Sequence, residues 1–167
     1  MRYNKSWYYP CKGAISASFF CTLVVPNVLL SLYGTPGKIA NIRKIADEHG
    51  ALIVEDAAES LGATYRGSQT GTFGDIGIIS FNGNKIITGS AGGMLLCRNK
   101  EDADKVRKWS TQSREAAPWY QHEELGYNYR MSNIIAGIVR GQIPHLDEHI
   151  AQKKKIYYRY WSSSAVS

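Results

Sequence analysis

Apolar and polar positions along the chain alternate in a way that predicts helices and strands in succession. Residues 35–49 carry isoleucines at the spacing of one helix face, with Pro36 suited to the first turn and Gly50 to the C-terminal stop. Residues 51–56, ALIVED, have the four apolar residues of a buried strand and end in carboxylates. Because a helix followed by a buried strand is the repeat of parallel sheets, we expect an α/β fold.

Two more strands are expected in the middle of the chain. The apolar runs at residues 77–81 and 92–97 have strand length, and turn chemistry alone would make Asn82 and Gly83 close a tight hairpin between them. The loop at residues 64–77 is punctuated by glycines that fit neither the dinucleotide nor the P-loop pattern. We therefore expect turns and close packing there, and no hydride-transfer chemistry.

Helical patterns dominate the remainder of the chain. Asn99 is placed to cap an amphipathic helix that turns Val106 and Trp109 inward. After an aromatic-rich loop, residues 132–147 are again helical, and another helix begins beyond them. Residues 145–149, HLDEH, match the inverted zinc-protease pattern, but no third ligand accompanies them and no metal site is expected.

Composition narrows the class of protein. At 167 residues and 44% hydrophobic content, the chain can bury a sizeable core, which argues against disorder throughout. The net charge of +6 is modest, and its one lysine run, Lys153–Lys155, is typical of a solvated helix face. Cys11, Cys21 and Cys97 have no CxxC spacing and cannot all pair, so we expect free thiols in a reducing cytoplasm.

The first part of the chain differs from the rest. Residues 13–34 carry no charge and follow basic residues, a pattern shared with signal peptides and membrane anchors. Pro26 and Asn27 interrupt the run, hydroxyl side chains dilute it, and no clear cleavage site follows. A membrane-tethered basic binding module is therefore the weaker alternative.

Asp56 and Lys85 are the main candidates for chemistry. Asp56 ends the first predicted strand and Lys85 lies four residues beyond the end of the second, at the edge where the carboxyl ends of parallel strands leave a crevice for ligands. A lysine can carry pyridoxal phosphate as a Schiff base, and an acid can keep the cofactor's ring nitrogen protonated. Either residue alone would more often be a helix cap or a solvated charge.

Several short motifs resemble the central part of the DegT/DnrJ/StrS family of sugar aminotransferases. They occur in the expected order in residues 54–97, VEDAAESLGATYRGSQTGTFGDIGIISFNGNKIITGSAGGMLLC, and 126–138, GYNYRMSNIIAGI. The similarity runs from about Leu32 to about Tyr160. It implies part of an aspartate-aminotransferase-like (fold type I) large domain, with a mostly parallel sheet and flanking helices.

The resemblance also implies roles for individual residues. It makes the turn at Asn82–Gly83 the loop that presents Lys85 to the cofactor, followed by the strand at residues 92–97, in place of a tight hairpin. Lys85 would bind pyridoxal 5′-phosphate and shuttle protons at the substrate carbon, while Asp56 would contact the ring nitrogen. Ala58 would pack on the ring, where a larger side chain would push it away, and Glu59 would lie near the ring hydroxyl or the substrate, although it could equally be a helix-cap acid. Ser80 would donate a hydrogen bond to the cofactor phosphate.

The implied active site is shared between two chains. Asn128 would reach the cofactor phosphate of a neighbouring subunit, with Arg130 close by, so a homodimer is expected. Some related sugar dehydratases have a histidine where this chain has Lys85, which favours amino transfer over dehydration. The implied partners are a nucleotide-linked keto-sugar, for polysaccharide or glycan biosynthesis, and an amino donor such as glutamate, with neither nucleic acid nor a membrane.

Three segments are expected along the chain. Residues 1–31 do not match the family, residues 32–147 correspond to part of the cofactor-binding domain, and residues 148–167 begin a truncated C-terminal region. The family's early phosphate-binding turn and its closing C-terminal domain have no counterpart, which predicts a truncated copy with little activity of its own. A noncatalytic remnant that only pairs with other subunits is the alternative.

Overall fold

The computed structural model describes residues 27–164. Its strands are, in chain order, β1 (Asn27–Leu30), β2 (Ile53–Asp56), β3 (Thr64–Tyr65), β4 (Ser68–Gln69), β5 (Ile76–Ser80) and β6 (Gly93–Cys97). Its helices are α1 (Ile39–Glu48), α2 (Lys100–Ser110), α3 (Asn133–Gln142) and α4 (Leu146–Ser164). Cys11, Cys21 and most of the uncharged N-terminal run lie outside the described residues, whereas Cys97 is a free thiol.

Four of the strands form one sheet in the order β1-β2-β5-β6. The first three run parallel, and β6 is antiparallel to β5. The expected α/β fold with a mostly parallel sheet and flanking helices is therefore confirmed. The carboxyl ends of β1, β2 and β5 meet at one edge, and the segments that follow them are brought together there.

One face of the sheet carries the core. Leu29, Glu55 and Gly77 are in register across β1, β2 and β5 and share that face, since paired residues point to the same side. Two buried clusters cover it: Leu29, Ile39, Ala46 and Ile53 beneath α1, and Ala57, Ile79, Phe81, Ile87 and Val139 beneath α3. On the opposite face Val28 and Leu30 are 67% and 49% exposed, so this side is more accessible within residues 27–164.

The first helix is shorter than its pattern predicts. It begins at Ile39, so Pro36 precedes it and does not occupy its first turn. Gly37 separates the two and is a poor helix former, because glycine loses more backbone freedom than any other residue. The predicted stop is confirmed, since Gly50 follows the helix with a φ of 61°. β1 begins at Asn27, ahead of the expected domain start at residue 32.

The tight hairpin that turn chemistry alone favours at Asn82–Gly83 does not form, and a loop that carries Lys85 is present there, as the family resemblance implies. β5 and β6 do pair in antiparallel fashion, with Ser80 opposite Gly93, but residues 81–92 connect them as a long loop. Tertiary contacts override the local turn preference here, because Phe81 is buried in the core. A true two-residue turn joins β3 to β4 instead, at Arg66 and Gly67, where both φ angles are positive as a type I′ turn requires.

The later helices follow the sequence pattern with two differences. Asn99 caps α2 as predicted, and its side chain accepts a hydrogen bond from the backbone N–H of Asp102 at 2.8 Å. Val106 is half-buried, but Trp109 is 40% exposed rather than inward, because its Nε1 donates to Glu124 at 3.1 Å in a surface cluster. The helix expected over residues 132–147 is also interrupted.

The interruption is a 3₁₀ turn at Ile143–His145, which contains Pro144 and separates α3 from α4. Proline cannot donate the backbone hydrogen bond that would continue α3.

Among the described helices, none is long and apolar enough to cross a membrane. His145 faces Glu148 at 3.4 Å and His149 Nδ1 lies 3.3 Å from the carbonyl of Ile86. No cluster of three potential metal ligands occurs within the described part of the chain.

Candidate functional site

A cavity of about 390 Å³ opens at the edge of the sheet where the parallel strands end. Small-molecule sites have volumes in this range. Its walls come from the segments that follow β1 and β2, from the end of β5 with the loop after it, and from α4. Four of the residues that the sequence singles out line it together: Ala58, Glu59, Ser80 and Lys85.

Lys85 is held in this cavity by a well-anchored loop. The backbone N–H of Lys85 donates to the carbonyl of Asn82 at 3.0 Å, and that of Gly89 donates to the carbonyl of the buried Phe81 at 2.8 Å. The ammonium Nζ of Lys85 lies 3.5 Å from Glu59 Oε1, and the two side chains are only 13% and 29% exposed. A contact of this length is weak as a hydrogen bond, so both groups retain capacity for a ligand.

Asp56 lies next to the cavity wall in sequence but is not one of its lining residues. Its Oδ1 accepts a hydrogen bond from the backbone N–H of Ala58 at 3.0 Å. This is the local capping contact that an acid after a strand commonly makes. One carboxylate oxygen of Asp56 therefore shapes the turn that carries Ala58 and Glu59.

Two serines, Ser80 and Ser60, belong to the lining of the same cavity. Ser80 Oγ accepts from the backbone N–H of Asn82 at 3.2 Å, which leaves its own proton free to donate. Ser60 is only 2% exposed, and its Oγ finds no hydrogen-bond partner among the described residues. A buried hydroxyl without a partner is uncommon in proteins, but the Oγ of Ser60 is shielded by protein atoms and is not open to a ligand in the cavity. Sequence reasoning missed it, because a serine in a small-residue turn carries no distinguishing signal.

Tyr33 closes another side of the cavity and was also missed. Its backbone N–H donates to Glu59 Oε2 at 3.4 Å, and its φ of 50° lies in the left-handed region that non-glycine residues rarely adopt. Glu59 thus contacts a backbone amide through one oxygen and the Lys85 ammonium through the other. The carboxylate is oriented by two elements that are distant in sequence.

Asn128 and Arg130 are not brought to the cavity of their own chain. Both are exposed on the aromatic-rich loop of residues 111–130. Backbone hydrogen bonds hold this loop against the end of α2: Tyr127 donates to the carbonyl of Trp109 at 2.7 Å, and Tyr129 donates to that of Ser110 at 3.0 Å. The contact predicted for Asn128 involves a second chain and stays a prediction.

Charged side chains fasten the same loop to α2. Glu124 accepts from Lys105 Nζ at 2.7 Å and from Trp109 Nε1 at 3.1 Å, and Lys108 Nζ lies 3.1 Å from its other oxygen. These contacts, with that of Lys105 the largest, lower the pKa of Glu124 to about 2. Glu115 and then Glu124 raise the pKa of Lys108 in turn. The loop therefore has a defined position on the surface.

Glu55 is the most fully engaged acid near the site, and sequence reasoning missed its role. Its buried carboxylate accepts hydrogen bonds from the backbone N–H groups of Gly71, Phe73 and Gly74 at 2.6, 2.7 and 3.1 Å. The glycine-rich loop thereby wraps around the end of β2. A Cβ added at Gly77 would lie 1.9 Å from the carbonyl oxygen of Gly71, which confirms the predicted close packing.

The residues of the cavity suit a carbonyl-bearing cofactor such as pyridoxal phosphate. A mostly buried lysine amine can react with an aldehyde, the small side chain of Ala58 leaves room for a flat ring, and the hydroxyl of Ser80 can donate to a phosphate. These three residues fit that cofactor, whereas Asp56 lies next to the cavity in sequence without lining it.

Comparison with known proteins points the same way. The sequence model of the DegT/DnrJ/EryC1/StrS aminotransferase family matches residues 27–163. The chain is 48% identical over 139 residues to EpsN of Bacillus subtilis (strain 168), provisionally named a pyridoxal phosphate-dependent aminotransferase, covering 83% of this chain and 36% of that protein. It is 41% identical over 125 residues to the GDP-perosamine synthase of Caulobacter vibrioides, covering 75% of this chain and 34% of that protein.

A solved structure shows the same fold. The aminotransferase TlmJ from Streptoalloteichus hindustanus superposes with a TM-score of 0.76 at 30% sequence identity, over 80% of this chain and 36% of that one. The chain thus spans about a third of the length of these relatives.

Proposed function

This chain belongs to the DegT/DnrJ/EryC1/StrS aminotransferase family, and from that premise we propose that it forms the lysine-bearing part of an enzyme that aminates nucleotide-linked keto-sugars. The observation that carries the proposal is the Lys85 amine, which is 13% exposed and faces Glu59 inside the cavity. The similarity to a GDP-perosamine synthase supports the nucleotide-sugar class. Glutamate is the proposed amino donor.

Each predicted residue has a distinct task in this proposal. Pyridoxal 5′-phosphate supplies an electron sink for the substrate's reacting carbon when it is bound. Lys85 would hold the cofactor covalently, and Asp56 would hold a proton on its ring nitrogen. Ala58 would leave space for the ring and Ser80 would donate to the phosphate. These assignments are supported by the shared cavity for Ala58, Ser80 and Lys85, and by position in the motif for Asp56.

Glu59 faces Lys85 across the cavity. Its Oε1 lies 3.5 Å from Lys85 Nζ, close enough for the two opposite charges to attract each other. The backbone N–H of Tyr33 contacts the other carboxylate oxygen and fixes its orientation. We assign Glu59 to cofactor or substrate binding on this basis.

The proposal includes a homodimer in the cytoplasm. Asn128 is exposed on a loop whose aromatic side chains are also exposed, with Trp119 at 64%, Tyr120 at 77% and Tyr129 at 76%. Such a surface suits a protein partner, and a second copy could receive Asn128 at its cofactor phosphate. The free thiol of Cys97 suits a reducing compartment. The same aromatic surface is what favours the alternative function, a noncatalytic module that only pairs subunits.

Absorbance spectroscopy tests the proposal. The full chain mixed with pyridoxal phosphate should develop the band of a lysine-linked cofactor, and Lys85→Ala should abolish it. Borohydride reduction followed by peptide mass spectrometry should place the cofactor on Lys85. Lys44→Ala, which removes a lysine that is 77% exposed on α1, is the control and should leave the band intact.

Two outcomes contradict the enzyme proposal. A band that persists in Lys85→Ala would place the cofactor on another amine. Absence of any band in a folded, dimeric chain would favour the pairing module.

A further inference from the structure

Lys153 differs from the other two lysines of its run. Its side chain lines the cavity that contains Lys85, together with Ile150 from the preceding turn of α4. Lys154 and Lys155 line a shallow groove on another side of the same helix, next to Tyr158. Successive helical residues are rotated by about 100°, so only one lysine of the three can face the cavity. All three lysines are exposed, as the interpretation of the run as a solvated face predicts, and Lys153 lines the cavity in addition.

The position of Lys153 is set by close packing of α4. Leu146 contacts the core cluster beneath α3, and Ile150 packs where Gly62 has no side chain. A Cβ at Gly62 would lie 2.4 Å from Ile150 Cδ1, and the φ of Gly62 is +87°. The helix therefore approaches the cavity wall as closely as a glycine allows. Lys153 follows Ile150 by three residues and lies on the same helix face.

The charges around the cavity are unbalanced. Its lining contains two ammonium groups, on Lys85 and Lys153, and one carboxylate, on Glu59. The carboxylate lies beside Lys85. Within residues 27–164, Lys153 forms no ion pair of its own. A cation at the mouth of a cavity with low-dielectric walls attracts anions more strongly than an isolated surface charge does.

We propose that Lys153 binds an anionic group of the substrate, a carboxylate or a phosphate, at the mouth of the cavity. The inference rests on the proposed function in one respect, since it takes Lys85 as the reacting amine. Both proposed substrates carry such a group: the amino donor has carboxylates, and the nucleotide-linked sugar has a diphosphate. Lys153 then contributes to substrate specificity by holding one end of the molecule while the other end faces Lys85.

Equilibrium titration of the full chain with two probes tests this inference. L-glutamate represents the carboxylate donor and uridine diphosphate represents the nucleotide. Lys153→Met removes the charge and keeps the length of the side chain, so the affinity for one of the two probes should fall about tenfold or more, the usual loss for a charge-assisted contact. Lys153→Arg should restore most of it. The probe that responds identifies the source of the anion.

Lys154→Met is the matched control, since it removes the same charge one residue further along α4. Its effect on either probe should stay within about twofold. Equal losses in Lys153→Met and Lys154→Met would show a general charge effect and overturn the inference, as would failure of both probes to bind the unaltered chain or affinities unchanged in Lys153→Met.

The cofactor band of Lys85 separates this inference from the proposed function. The band should persist in Lys153→Met, because this lysine is assigned to the substrate and not to the cofactor. If the unaltered chain shows no band while uridine diphosphate binding still depends on Lys153, the aminotransferase proposal fails and the anion site stands. If the band is present and neither probe depends on Lys153, the anion site fails alone.

Discussion

Two glutamates four residues apart, Glu55 in a buried turn and Glu59 in the cavity, have opposite roles. Glu55 is fully buried and accepts three backbone hydrogen bonds of 2.6 to 3.1 Å. Glu59 is 29% exposed and has two long contacts, at 3.4 and 3.5 Å, with Tyr33 and Lys85. The first carboxylate is committed to the protein, whereas the second is available to a ligand.

This difference shows how the fold separates stability from chemistry. A buried carboxylate is tolerated when backbone N–H groups replace its lost hydration, and the loop that supplies them is thereby tied to β2. The cavity has the opposite character, with the weakly paired side chains of Lys85 and Glu59. Polar groups that the protein pairs only weakly retain capacity for a ligand. The turn should therefore respond to mutation through stability, and the cavity through ligand binding.

Glu55→Ala should produce the largest loss of stability, because three N–H groups, two of them buried, lose their acceptor. At about 1 kcal/mol or more for each group, the free energy of unfolding should fall by about 3 kcal/mol or more, a large part of the total of a typical domain. Urea denaturation followed by circular dichroism measures it. Glu59→Ala is the matched control, with an expected change below about 1 kcal/mol. Similar losses of stability in both variants would contradict the proposal that Glu55 stabilises the fold and Glu59 does not.

Gly77→Ala should come next in size and tests the packing of the same turn. The added Cβ would lie 1.9 Å from the carbonyl oxygen of Gly71, and neither backbone can move without breaking the sheet or the Glu55 contacts. Overpacking of this kind costs about 1–3 kcal/mol. Gly137→Ala, on α3 with no atom within 4 Å of the new Cβ, should instead stabilise by about 0.5–1 kcal/mol. Thermal denaturation of both variants should give shifts of opposite sign.

Asp75→Asn should have the smallest effect of the three and is visible in the dependence of stability on pH. Burial favours a higher pKa for Asp75, but hydrogen bonds from the backbone N–H of Ile53 and from Arg43, at 2.8 and 3.0 Å, outweigh it and lower the pKa below 3.8. The folded state therefore favours the charged carboxylate. Its contribution is fully present above the unfolded pKa and is lost as the pH falls through the lower, folded pKa.

Unfolding measured between pH 2 and pH 7 tests this expectation. Asp75→Asn should lose about 1 kcal/mol at neutral pH and should show a shallower decline below pH 3.8 than the unaltered chain. Asp104→Asn is the control, because that carboxylate pairs on the surface of α2 with Lys100 and Arg107. Surface pairs contribute less. If the free energy of unfolding of Asp75→Asn falls with pH as steeply as that of the unaltered chain, Asp75 does not contribute to the loss of stability in acid.

Much of the fold could be anticipated from local patterns. The apolar runs of β2, β5 and β6, the cap at Asn99 and the stop at Gly50 are properties of short segments, and each occurs in the structure. Local turn preference fails where distant contacts outweigh it. Asn82–Gly83 favours a tight turn by itself, but burial of Phe81 extends the connection into the loop that carries Lys85.

The candidate site was also predictable from the sequence only in part. Short motifs were sufficient to select Lys85, Ala58, Glu59 and Ser80, and the structure brings these four to one cavity. Ala58, Glu59 and Ser80 could be selected because they belong to motifs shared with the family. The four meet in space because the carboxyl ends of parallel strands converge at one edge of a sheet. Asn128 came from the same kind of motif, and its expected role depends on a second chain.

The sequence by itself determined the order of helices and strands, the family resemblance and the lysine at the strand edge. Only the tertiary structure decided that Glu55 closes a turn, that the hydroxyl of Ser60 is buried without a partner and that Lys153 alone of its run lines the cavity. The physical reason is distance along the chain. Local patterns report neighbours within a few residues, whereas the fates of these three side chains depend on segments that only folding brings beside them.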